Sequence, residues 1–89
     1  MPVKALTSDQ IRAARALVRW RAEDLARESA VGVATIRRAE LTERETSMTA
    51  ANDLAVRRAL EFAGVEFIDE NGGGPGVRLR KATKGKSRK

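Results

Sequence analysis

Three residues, Ala30-Val31-Gly32, separate two short amphipathic stretches, and that spacing constrains the chain more than any other feature. Before it, Glu23 to Ser29 reads as a helix with Leu25 and Ala26 inward and Glu23, Asp24, Arg27 and Glu28 outward. After it, Val33 to about Leu41 reads as a second helix with Ile36 and Ala39 inward. A connection this short admits only a tight turn, so the two helices must pack directly on each other. Glu23 and Asp24 occupy the first turn, where the helix dipole favours carboxylates. Gly32 falls at the N-cap of the later helix.

The flanking segments supply the rest of a small helical core. Thr7 and Gln10 have capping-box spacing, with Leu6 placed to staple onto Ile11, so a first helix is expected from Ser8 to about Arg19. Ile11, Ala14, Leu17 and Val18 form its inward stripe, and Trp20 plugs the junction with the next helix. Thr42 to Thr49 is a polar connection. A fourth helix is expected from about Thr49 to Ala63, with Val56, Ala59, Leu60 and Ala63 inward and Gly64 at the left-handed C′ position. Leu54 and Phe62 lie on a neighbouring strip, which is either a wide core face or a dimer contact. After Gly64 the hydrophobic period changes to two. Val65-Glu66-Phe67-Ile68 and Val77-Arg78-Leu79-Arg80 flank a Gly-rich stretch and read as a hairpin over residues 65–81. Val65, Phe67, Val77 and Leu79 can share one face against the helices, and free strand edges invite pairing with a second copy. Residues 82–89, rich in Lys, Gly and Ser, read as a disordered basic tail.

Composition narrows the chemistry. With 89 residues the chain holds one modest core and little room for a deep catalytic cavity. It has no Cys and no His, so thiolate and imidazole metal sites and the commonest general base are missing. No enzyme, metal or cofactor is expected. No apolar run reaches membrane-spanning length and none resembles a signal peptide, so a cytoplasmic protein is expected. The net charge of +6 points to a polyanionic partner, but its distribution matters. Seven of the 18 Lys and Arg residues lie from Arg78 onward, where no acidic residue occurs, and the preceding part carries a net charge of −1.

The segment from Ala22 to Glu40, AEDLARESAVGVATIRRAE, resembles the helix-turn-helix of the XRE family, the lambda-repressor-like regulators. Helix 1, Trp20, and the string from Arg57 through Gly64 and the Gly-rich stretch to Arg80 resemble a short bacterial subgroup of that family carrying a C-terminal β-hairpin. The resemblance implies a mainly α, four-helix domain, followed by the hairpin and tail, that works as a DNA-binding transcriptional regulator. It implies that the second motif helix enters the major groove with its N-terminal residues at the base edges. The positions concerned are Gly32, Val33, Ala34, Thr35, Arg37 and Arg38, with Arg21 and Arg44 as phosphate contacts. Val33 and Ala34 suit thymine methyls, and Arg38 suits guanine O6 and N7. Double-stranded operator DNA and a second copy of the chain are the implied partners, with Leu54, Phe62, Phe67 and Ile68 as candidate dimer contacts.

The chain departs from the family pattern at several positions. Arg21-Ala22 stands where the family often has Ser-Gln, Ala30 where the turn favours Gly, Gly32 where Ser or Thr is common, and Ala39 where a larger apolar residue is common. These departures keep open an alternative, a protein-interaction module on the same scaffold, such as an antitoxin or anti-activator. The Gly72-Gly73-Gly74-Pro75-Gly76 run lies between strands and reads as a hairpin loop, not a phosphate cradle. Gly85-Lys86-Ser87 lacks the upstream Gly of a Walker A motif and no helix follows it.

Overall fold

The Thr7 hydroxyl accepts from the Gln10 backbone N–H at 3.1 Å, and the Gln10 side-chain oxygen Oε1 accepts from the Thr7 N–H at 3.0 Å. This closed capping box starts α1 (Ser8–Val18), as the spacing predicts. The computed structural model describes residues 5–80, so the tail expected over 82–89 lies outside the described residues. Three further helices follow, α2 (Ala22–Ser29), α3 (Val33–Ala39) and α4 (Ala50–Phe62), then strands β1 (Val65–Ile68) and β2 (Gly76–Leu79). The described part is about half helical, with one antiparallel hairpin.

Leu6, Ile11, Ala14, Leu25, Ile36, Val56, Leu60 and Val65 form the centre of the core, each essentially inaccessible to water. Trp20, Val18, Ala26, Phe67 and Val77 pack around it, half-buried. Leu17 departs from its expected inward position and is 37% exposed. The reason is helical phase, since Leu17 lies to one side of the buried stripe. Arg19 takes a left-handed conformation, φ 60°, one residue before Trp20, and the stripe that turns inward is Ile11, Ala14 and Val18.

The hairpin pairs Val65 with Leu79 and Phe67 with Val77, which puts those four on one face as the alternation predicts. It lies across α1 and α4, supplying the helix layer that a lone two-stranded ribbon needs. Gln10 has a second task here. Its side-chain amide donates to the Ile68 carbonyl at 3.2 Å and the Gly76 carbonyl at 3.1 Å, tying the hairpin to α1. Gly64, φ +113°, turns the chain from α4 into β1, in a region that strains any residue with a Cβ. The Arg80 guanidinium donates to the Glu61 carbonyl at 2.7 Å, a cation at the C-terminal end of α4. The glycine-rich loop is organised by Glu70 and by Asn71, whose Oδ1 accepts from the Gly73 N–H at 3.3 Å. The Glu70 carboxylate accepts from the N–H groups of Gly72 at 2.8 Å and Gly74 at 3.2 Å.

The connection from α3 to α4 is pinned along its length. Thr7 and Glu45 form an isolated antiparallel bridge, and Thr46 N–H donates to the Leu6 carbonyl at 3.2 Å. The buried Asp53 carboxylate accepts from the Leu6 N–H at 3.1 Å and the Thr46 hydroxyl at 3.3 Å. Burial pushes this carboxyl above the usual carboxylate range, against the opposing pull of those two donors.

Candidate functional site

Residues 22–40 build the site from a wedge. Leu25 and Ile36 are fully buried, and Val31 and Ala39 nearly so, which locks α2 onto α3 across the turn. Ala30 is left-handed with φ 60° and ψ 26°. Ser29, which the sequence reading gave no role, stabilises this corner. Its hydroxyl donates to the Leu25 carbonyl at 2.7 Å and accepts from the Val31 N–H at 3.2 Å. Because Ala30 pays the left-handed penalty, Ala30→Gly is expected to raise stability by about 1 kcal/mol. Urea unfolding checks it, and a loss of stability would show that the turn tolerates Ala without strain.

The predicted recognition helix is shorter than expected. It ends at Ala39, not near Leu41, because Glu40 N–H still reaches the Ile36 carbonyl but Leu41 N–H reverts to a tighter bond with the Arg38 carbonyl at 3.1 Å. Glu40 is drawn inward at that point. Its carboxylate accepts from Arg15 Nε at 2.6 Å and Arg15 Nη2 at 2.8 Å, while Arg15 Nη1 donates to the Trp20 carbonyl at 2.9 Å. The hydrogen bond with Glu40 holds the Arg15 guanidinium above its usual range. This fork fixes the end of α3 to α1, and the periodicity of neither helix announces it. Leu41, beyond the fork, is 82% exposed.

With Ile36 and Ala39 inward, Gly32, Ala34, Arg37 and Arg38 are exposed, and Val33 and Thr35 half-buried. Gly32 is the N-cap, with no side-chain cap bond. The two arginines differ in their surroundings. Arg37 pairs with the Glu23 carboxylate of α2, whereas Arg38 has no ion-pair partner among the described residues and only a long contact, 3.5 Å, with the Thr35 hydroxyl. Arg27 is engaged by Asp24 at 3.0 Å and Glu28 at 3.7 Å. A concavity of about 300 Å³ runs beside Arg38 and Thr35, with Thr42, Thr46, Ser47 and Met48 of the α3–α4 connection on its far side. Those connection residues were invisible to periodicity, because only the pinning by Leu6 and Asp53 places them there.

Arg21 precedes α2, is exposed, and its N–H donates to Asp24 at 2.8 Å. That N–H holds the Asp24 carboxyl below the usual range, with Arg27 adding to the effect. Arg44 is not brought to α3. It lines a separate open concavity with Asp9, Glu43, Glu45 and Glu70. Among the candidate dimer residues, Phe62 is 94% and Leu54 38% exposed, so the wide-core-face alternative fails for Phe62. Ile68 is half-buried, and Phe67 packs against the core with the Arg57 guanidinium 5.0 Å from its ring centre.

Among the described residues no group of carboxylates is placed to hold a metal ion, and no helix is long and apolar enough to cross a membrane. No protein-family model matches the chain, and no curated protein sequence matches it.

Proposed function

We propose that the chain is a non-enzymatic, sequence-specific DNA-binding transcriptional regulator, a lambda-repressor-like helix-turn-helix of the XRE kind, with α3 in the major groove. The observation that carries this reading is the rigid α2–turn–α3 unit. Burial of Leu25, Val31, Ile36 and Ala39 leaves Ala34, Arg37 and Arg38 facing outward from the same short helix. A helix presented in this way fits the width of the major groove, and small apolar side chains next to an arginine suit thymine methyls next to a guanine. Arg38 is the base reader in this scheme because no carboxylate among the described residues competes for it. Val33, Ala34 and Thr35 line the approach and Arg21 takes a phosphate. Arg44, set among carboxylates, has the weakest claim to a DNA contact. A homodimer would place two such helices about one DNA turn, roughly 34 Å, apart. Leu54 and Phe62 on the outer side of α4 are its available apolar contacts. A cytoplasmic location goes with this reading.

The test is selection of bound duplexes from a randomised pool by the purified protein. An enriched motif with inverted half-sites is expected, and a pool that stays random overturns the proposal. Arg38→Ala is expected to cost about 1–3 kcal/mol on the selected site and to relax preference at one base pair. A variant motif identical to that of the wild type removes Arg38 from the readers.

One observation favours a second reading, a protein-interaction module on the same scaffold. Phe62 is almost wholly in water on the side of α4 away from the core. This reading predicts a random pool after selection and loss of partner capture in Phe62→Ser, with the fold retained.

A further inference from the structure

The Glu23 carboxylate sits in the first turn of α2, where the N-terminal peptide groups attract anions, and reaches Arg37 on the outer side of α3. The charges that act on it are cationic. Arg37 and Arg21 both act on it, and Arg15 feels its charge in turn. Its own backbone N–H and Arg37 hold the carboxyl below the usual range, so it is ionised throughout the neutral region. These are the surroundings a DNA phosphate would occupy if α2 lay along the backbone while α3 entered the groove. We infer that Glu23 is a built-in competitor of DNA phosphate for Arg37, lowering the affinity of the site for any duplex. The inference rests on the DNA-binding reading.

The pair is suited to exchange. Both side chains are more than half exposed, 57% for Arg37 and 55% for Glu23, so water and salt screen the bond and it is cheap to break. As long as Glu23 holds Arg37, one phosphate fewer is neutralised, whatever the sequence of the duplex. Every duplex therefore meets the same penalty, and the contacts made by Arg38 and its neighbours carry a larger share of the remaining affinity. Arg38 lacks such a carboxylate among the described residues, so the two adjacent arginines of α3 have different tasks. Arg38 is free to engage, and Arg37 is held back.

The experiment measures binding of a short mixed-sequence duplex against salt concentration for the wild type, Glu23→Gln, Arg37→Gln and the double variant. Each substitution is at an exposed side chain, and circular dichroism verifies the fold. Glu23→Gln is expected to raise affinity several-fold at low salt. It should also steepen the slope of log K against log salt by about 0.9, one more phosphate neutralised. Across a fourfold rise in salt that slope corresponds to an extra loss of about 3- to 4-fold. In the Arg37→Gln background the same substitution is expected to change the slope little. Unchanged binding by Glu23→Gln overturns the inference, and so does an equal gain in both backgrounds, which would reflect bulk charge alone. The Glu23 side-chain carbon, followed by NMR titration in the free protein, separates the two levels of the argument. If it titrates below the usual range and moves upward in Arg37→Gln while the wild type binds no duplex, the ion pair stands. In that case the DNA-binding reading fails, and the competitor role with it.

Discussion

Glu40→Ala is expected to lower the unfolding free energy by about 3 kcal/mol, the low end of the cost of breaking a buried ion pair. The low end applies because the Arg15 side chain keeps 22% of its exposure, although that of Glu40 keeps only 9%. The substitution removes both acceptors of the Arg15 fork at 2.6 and 2.8 Å and leaves a guanidinium beneath the α1–α3 contact with only the Trp20 carbonyl at 2.9 Å. A domain of this length has a total stability of about 4–13 kcal/mol, so the loss is a large share of it. The measurement is urea unfolding, with a lower midpoint at unchanged slope. The double variant Arg15→Met/Glu40→Leu should recover most of the loss, since replacing both charges with apolar groups removes the desolvation cost as well as the bond. A loss below about 0.5 kcal/mol for Glu40→Ala would mean that the fork behaves as an exposed pair. The consequence reaches the site, because this fork fixes the C-terminal end of α3.

The Arg15–Glu40 fork also marks the boundary of what the sequence made legible. Elements whose signals are local were readable. The Thr7/Gln10 box, the turn after Ser29 and the change of period at Gly64 each specify their structure within a few residues. The inward positions of Leu25, Ile36 and Ala39 were readable because burial follows helical spacing. Bonds between residues distant in the chain left no such trace. Gln10 looks like a cap residue and is also the clamp for the hairpin, and Asp53 looks like an ordinary first-turn acid and holds Leu6 and Thr46. The surroundings of Arg44 were hidden for the same reason, because Asp9 and Glu70, which line a concavity with it, are far away in the chain. The spacing that puts Arg37 and Arg38 side by side on α3 does not reveal the reach of Glu23 from α2, which pairs one and not the other.

Ile36→Ala is expected to cost about 3–4 kcal/mol, within the range for truncating a fully buried Ile to Ala. Truncating a side chain that is wholly out of water leaves a cavity that its neighbours fill only in part. The effect on function should exceed the effect on folding. Ile36 and Ala39 are the buried anchors of a seven-residue helix, too short to hold its conformation without tertiary packing. Freed from its anchor, α3 loses its fixed outward presentation of Arg38 before the rest of the domain unfolds. Ile36→Val provides the graded comparison, with a loss of about 0.5–1.5 kcal/mol. At a temperature where all three proteins remain folded by circular dichroism, hydrogen exchange should show faster opening of α3 amides in the order wild type, Val, Ala. Affinity for the selected duplex should fall in the same order. If Ile36→Ala keeps slow exchange in α3 and full affinity, the helix is held by contacts other than this side chain, and the rigid presentation on which the proposed function rests has a different origin.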